Sequence, residues 1–137
     1  MKILIIDDER SIRNSLKEIL ADEGYDVDVA ENGVTGCEMA DKEKYGVIFC
    51  DIKMPQMDGM ELIDNLRNDF TTSHIPIVMI TAKHEDDTQV RALKYGADGY
   101  IAKPFTMELL TARIDSMLER RRTLMSRLSE SRPSERS

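Results

Sequence analysis

No apolar run in this chain approaches the roughly 18 residues that a membrane-spanning helix needs, and no secretory leader pattern opens it, since KILII already reads as a strand. A soluble cytoplasmic protein without membrane contact is the expectation. Cysteine is scarce. Cys37 and Cys50 fall in a helix-like and a strand-like segment without metal-ligand spacing, so free buried thiols in a reducing compartment are expected. There is no P-loop and no kinase glycine-rich loop, which argues against autonomous kinase activity. A second full domain is not expected within these residues, because 137 residues suffice for one ordinary core and a short appendage.

What is present begins with an uneven charge. Residues 119–137 hold six arginines against three glutamates, which leaves 13 basic and 23 acidic residues for the rest. An acidic body argues against direct nucleic-acid binding by that body. The basic end reads as a solvated helix end, with contact to an acidic partner as the other reading.

Short apolar runs alternate with helical patterns along the whole chain. Residues 2–6 read as a buried strand, and 10–23 follow with Ile12, Leu16, Ile19 and Leu20 on one helical face; Gly24 supplies the stop. YDVDVA (25–30) reads as an edge strand, Asn32-Gly33 as a turn, and 33–44 as a helix. GVIFC (46–50) is a second buried strand, followed by a helix over 59–69 carrying Met60, Ile63 and Leu66. IPIVMI (75–80) is a third buried strand, 86–95 a helix with Val90 and Leu93 inward, and GYIA (99–102) a short strand. The last helix starts near Thr106. Five strands thus alternate with five helices, and those over 2–6, 46–50 and 75–80 are apolar almost throughout. Such strands sit inside a parallel sheet covered on both faces, which right-handed crossovers turn into a doubly wound α/β fold. Ligands of such sheets bind beyond the carboxyl ends of the strands, where strand order reverses.

Those ends carry chemistry. The first strand stops at Asp7 and Asp8 with Glu9 next, the third at Asp51, the fourth at Thr81 and Ala82, and the fifth runs into Lys103-Pro104. Aspartate is a common helix N-cap, so Asp7 and Asp8 alone admit a structural role. Asp51 is followed by Pro55 in a turn and admits it less. Three carboxylates within about 4 Å of one another repel by several kcal/mol per pair at a typical protein dielectric, so a counter-charge is required. An all-oxygen cluster with few ligands suits Mg2+, which keeps waters for a substrate phosphate to replace. Lys103 adds a second positive charge, leaving room between the two for a phosphoryl group. A carboxylate so placed can be the nucleophile that forms an aspartyl phosphate. Thr81 could hydrogen-bond the added group, and the small Ala82 would let it approach the backbone.

IIDDE (5–9), DIKMPQMDG (51–59), TA (81–82) and KPF (103–105) resemble, in order and spacing, the receiver domain of two-component response regulators, over residues 2 to about 120. The resemblance implies a flavodoxin-like (βα)5 fold with strand order 2-1-3-4-5. It implies Asp51 as the phosphoacceptor, Mg2+ held by Asp8, Asp51 and the backbone carbonyl of Lys53, and Asp7 helping through water. Thr81 and Lys103 would contact the phosphoryl group, and Tyr100 would be the aromatic switch that turns inward as Thr81 moves. A half-buried aromatic at a sheet edge is the plainer reading of Tyr100. The Lys103-Pro104 bond is expected to be cis. Lys53 and Lys83 occupy positions that tune the lifetime of the acyl phosphate in this family. The implied partner is a histidine kinase or phosphotransfer protein, and the implied output face comprises the fourth predicted helix, the fifth strand and the last helix.

Related chemistries fit less well. Haloacid-dehalogenase-type phosphatases need a second aspartate where Lys53 stands, and flavodoxins carry a hydroxyl- and glycine-rich loop where this chain has DDERS. His74 and His84 lie in loop-like stretches, not on an amphipathic helix, which argues against a phosphodonor. The rival from another class is a receiver-like interaction scaffold that no longer takes phosphate; such proteins usually lose an acid, the threonine or the lysine, and none is missing here. Beyond the receiver pattern, Met107, Leu110, Ile114, Met117, Arg121, Leu124 and Leu128 alternate in steps of three and four. Residues 121–137 are therefore expected to form a helix extension and tail, with RPSERS disordered. A homodimer through the output face or the extended helix is one expectation, a solvated stub the other.

Overall fold

The computed structural model of the chain describes residues 1–52, 54, 57–82, 90, 94 and 96–130, with 81, 82, 118 and 120–130 described as backbone only. Five parallel strands, β1 (Lys2–Ile6), β2 (Asp26–Ala30), β3 (Val47–Asp51), β4 (Ile77–Ala82) and β5 (Gly99–Lys103), form one sheet in the order β2-β1-β3-β4-β5. The fold is the flavodoxin-like α/β arrangement. Among the described residues four helices accompany it: α1 (Arg10–Asp22), α2 (Gly33–Lys42), α3 (Gly59–Asn68) and a C-terminal helix, Met107–Glu130. None of them is long and apolar enough to cross a membrane. Residues 1–105 make up one compact unit, and the chain from Thr106 on makes up another.

Within the first unit, the central strands are buried on both faces because their side chains alternate between two apolar layers. Leu4, Ile6, Ile48, Cys50, Ile77 and Met79 join Ala40 of α2 and Leu62, Ile63 and Leu66 of α3 in one cluster. Ile3, Ile5, Val47, Phe49, Val78 and Ile80 are buried outside that cluster, as are Leu16 and Leu20 of α1. The step from β1 to β2 runs one way along the sheet and the step from β2 to β3 runs the other, so right-handed crossovers put α1 and α2 on opposite faces. Each fully buried leucine or isoleucine contributes about 1.5–3 kcal/mol by leaving water. At the edge, β2 buries Val27 and Ala30 but exposes Asp26, and a charge there discourages pairing with another chain.

Helix ends follow local chemistry. Gly24 closes α1 at φ +92°, a left-handed conformation that costs glycine little, and its N–H donates to the Ala21 carbonyl at 3.0 Å. Asn32-Gly33, expected as a turn leading into a helix from 33, brings the chain into α2 at Gly33 with Asn32 as its N-cap: the Asn32 side chain accepts the Thr35 N–H at 2.8 Å. β4 begins at Ile77, two residues later than its apolar run suggests, because Pro76 has no N–H for the ladder. The predicted helix over 86–95 lies outside the described residues except for Val90 and Lys94, which are helical. Val90, expected inward, is 52% exposed; two apolar residues fix a helical phase poorly.

The C-terminal helix is capped by Thr106, whose hydroxyl accepts the Leu109 N–H at 3.1 Å, and continues to Glu130. Leu110, Ile114 and Met117 are buried, whereas Met107, placed on the same stripe by its spacing, is 47% exposed. The Arg121, Leu124 and Leu128 side chains and the segment RPSERS lie outside what the structure describes.

Candidate functional site

The register of the sheet builds the site. β1 and β3 are neighbours with Ile6 opposite Cys50, so the next residue of each, Asp7 and Asp51, leave the same crevice side by side. This is where strand order reverses. Asp8 follows at the turn into α1, and one carboxylate oxygen from each of Asp7, Asp8 and Asp51 lies within 4.8 Å of the other two. Their environments are graded: Asp7 is wholly buried, Asp51 is 7% exposed, and Asp8 is open to solvent.

The loop after Asp51 is held down by Gly59. A Cβ at this glycine would lie 2.8 Å from the Asp51 carbonyl oxygen and 2.7 Å from Ile52 Cα, both backbone atoms. Only glycine lets the chain come this close, and its N–H then donates to the Ile52 carbonyl at 2.8 Å. Asp58 caps α3 by accepting the Glu61 N–H at 2.9 Å. The Asp58-Gly59 pair therefore anchors the loop against the strand that carries Asp51.

Lys103, at the end of β5, reaches across to the cluster. Its Nζ lies 3.6 Å from Asp51 Oδ2, 3.7 Å from Asp7 Oδ2 and 3.6 Å from Glu9 Oε1. Burial alone would lower its pKa, but Asp51, Asp7 and Glu9 outweigh that, and the net shift is upward, so the lysine is a firm cation. The Asp7 pKa also rises, which for a carboxylate disfavours the charged form: burial pushes it up, more than the Glu9 N–H and Lys103 pull it down. Its Oδ1 accepts the Glu9 N–H at 2.9 Å, whereas its Oδ2 is buried and accepts no hydrogen bond, with the Lys103 ammonium only at ion-pair range, 3.7 Å. A buried carboxylate oxygen in that state favours a closer cation. The all-oxygen donor set, with one oxygen lacking a hydrogen bond and few ligands, fits Mg2+ better than a softer metal.

Of the residues singled out from the sequence, Asp7, Asp8, Asp51 and Lys103 come together. Thr81 and Ala82 end β4 and pair in register with Ala102 and Lys103, which puts their backbone at the same sheet edge; their side chains, and the whole of Lys53 and Lys83, lie outside the described residues. Tyr100 is half-buried on the edge strand β5, opposite Met79, and packs against the core cluster. The Lys103-Pro104 bond is cis. Both cysteines are free; Cys50 is buried, but Cys37, also expected buried, is only partly so.

Two residues at the site carried no expected role. Glu9 pairs with Lys103, and the Arg13 guanidinium donates to the Asp7 carbonyl at 2.7 Å, fixing the turn that presents Asp7 and Asp8. Arg13 had no visible signal, since one arginine on a polar helix face is ordinary. Glu9 had one: glutamate is an unusual choice for a helix N-cap.

Known proteins resemble this chain in sequence and fold. Residues 3–115 match the family model of the response regulator receiver domain. The chain is 39% identical over 120 residues to response regulator MprA of Mycobacterium leprae, covering 88% of this chain and 52% of that protein. It is 42% identical over 119 residues to response regulator ArlR of Staphylococcus saprophyticus, covering 87% and 53% respectively. It thus spans about half the length of these relatives. Among solved structures, the chemotaxis protein CheY4 of Vibrio cholerae superposes with a TM-score of 0.80 at 32% identity, covering 84% of this chain and 96% of that one. An acid crevice at the β1–β3 switch point, a lysine reaching over from β5 and a match through nearly the whole fold together establish that this chain belongs to the response regulator receiver family.

Proposed function

We propose that Asp51 accepts a phosphoryl group, from a histidine kinase, a phosphotransfer protein or a small acyl phosphate, in a reaction that requires Mg2+. The observation that carries this reading is the Asp51 carboxylate, held at a strand end beside two further aspartates and 3.6 Å from a firmly charged lysine. Asp7, Asp8, Asp51 and the Lys53 backbone carbonyl would hold the metal. When bound, it supplies the positive charge that lets an anionic donor approach an anionic nucleophile.

The chain's own groups then do the following. An Asp51 carboxylate oxygen forms the new bond to phosphorus in line with the leaving group, which departs with the electron pair of the bond that breaks. Lys103 turns from Asp51 to an oxygen of the transferred group. Thr81 donates a hydrogen bond to another, and Ala82 leaves space for it. Burial and the Asp58-Gly59 anchor keep Asp51 from swinging away, so orientation is fixed before the donor arrives. Receiver domains are not turnover enzymes. This one would catalyse only its own phosphorylation and the later hydrolysis of the acyl phosphate.

The phosphorylated state is read out through Thr81 and Tyr100, which select one of two pre-existing conformations of β5 and its flanking segments. Residues 1–120 would be the receiver and 121–137 a helix extension and tail, cytoplasmic and without direct nucleic-acid contact by the receiver. A homodimer through the extended helix belongs to the same proposal, motivated by the unbroken helix to Glu130. Sedimentation should show a larger dimer fraction when beryllofluoride mimics the phosphoryl group; a monomer at high concentration with and without it removes the dimer.

Acetyl phosphate with Mg2+ should add one phosphoryl group per wild-type chain, read by intact mass, and none to Asp51→Asn. Equal labelling of the two proteins would sink the assignment of Asp51.

A further inference from the structure

Glu9 occupies the N-cap of α1, where serine, threonine, aspartate or asparagine normally accepts a helical N–H. Its side chain makes no such bond. Asn32 and Asp58 do so for α2 and α3, at 2.8 and 2.9 Å, and Thr106 does so for the C-terminal helix, so α1 alone of the described helices forgoes its cap. The Glu9 backbone is fixed on both sides: its N–H donates to Asp7 Oδ1 at 2.9 Å and its carbonyl accepts the Arg13 N–H at 3.1 Å. That leaves the carboxylate facing Lys103 at 3.6 Å, half in solvent, while Lys103 is mostly shielded.

We propose that Glu9 is a positioning residue for Lys103, holding part of the ammonium's charge away from Asp51 and Asp7 so that these carboxylates can exchange the lysine for Mg2+. The inference rests on the metal-dependent reading given above. Lys103 competes with any metal for the same two oxygens, at 3.6 and 3.7 Å. Among its described ion pairs, Glu9 is the one partner outside the three converging carboxylates. With Glu9 present, the lysine keeps an anion when Asp51 and Asp7 turn to the metal. Without it, the exchange would leave a largely desolvated ammonium unpaired, which opposes metal entry.

Mg2+ titration of the unphosphorylated chain, followed by backbone amide shifts, tests this in wild type, Glu9→Gln, Lys103→Met and the double variant. Wild type should bind, and Glu9→Gln should bind roughly two- to five-fold more weakly at low salt, the scale of one partly exposed ion pair. The difference should shrink as salt screens it, and should fall by more than half in the Lys103→Met background. Glu9→Ser supplies the missing cap, so it should melt higher than wild type while binding Mg2+ as weakly as Glu9→Gln; a merely structural Glu9 would leave its affinity at the wild-type value. Wild-type affinity in Glu9→Gln, or an undiminished loss in the Lys103→Met background, overturns the proposal. A wild type that binds no Mg2+ overturns the metal-dependent reading itself, and the two failures are thereby distinguishable.

Discussion

At the amino-terminal ends of β4 and β5, charges are closed off by short hydrogen bonds; at the carboxyl-terminal ends of β1, β3 and β5, a lysine and its acids meet at longer range. At the first end, Arg67 on the last turn of α3 donates to the carbonyls of Gly96, Ser73 and Ile75 at 3.0, 3.0 and 2.7 Å and to Asp98 at 2.8 Å. Asp98 also accepts the Ile77 N–H at 2.8 Å. At the second end, Lys103 stands at 3.6–3.7 Å from three acids, and one buried carboxylate oxygen accepts nothing. A charge network whose hydrogen bonds are complete holds segments together. One left incomplete spends folding energy to keep groups ready for something else.

Breaking each network should therefore have opposite consequences. Arg67→Ala strips three carbonyls and Asp98 of a shared donor, so urea denaturation should show a loss of roughly 2–4 kcal/mol. The fraction that remains folded should still take one phosphoryl group, because the pair of Asp7 and Asp51 hangs on the β1–β3 register, not on α3's last turn. A loss of phosphorylation in the folded fraction would show that the two ends are not separable. This is the largest stability effect expected from a single change at either end.

The same contrast explains what could be read from the sequence. Apolar runs dictate β1, β3 and β4, and an acid or a lysine after such a run is visible as an interruption, so Asp7, Asp8, Asp51 and Lys103 stand out. The Arg67 bridge does not, because its partners Gly96 and Asp98 lie 29 and 31 residues away and no periodicity links them. Asn32 was legible as a boundary and not as a cap, for a local reason. An Asn-Gly pair suits both a tight turn and a helix start, and only the side-chain bond to Thr35 decides between them. Val90 misleads because a helix needs more apolar positions than two to set its inward face. Glu9 was legible as a residue and not as a role. Its carboxylate gains meaning only once β5 brings Lys103 beside it.

The smaller effect sits at the other end and has the opposite sign. Asp7→Asn replaces a wholly buried carboxylate with a neutral amide that keeps the oxygen facing the Glu9 N–H. The variant loses the ion pair to Lys103, but a neutral group costs less to bury than a charge that burial already disfavours. In metal-free buffer it should be more stable than wild type by up to about 1 kcal/mol. The gain must depend on pH. Because the folded pKa of Asp7 is raised, the wild type pays nothing for this group below the ordinary carboxylate range and loses stability as pH climbs from there through the raised value. Wild type and variant should thus converge in acid and separate toward neutrality, with the variant ahead. Urea melts from acid to neutral pH in EDTA measure that separation. A variant less stable than wild type at neutral pH would mean that Lys103 already satisfies Asp7, and that the carboxyl ends of the strands are as settled as the amino ends.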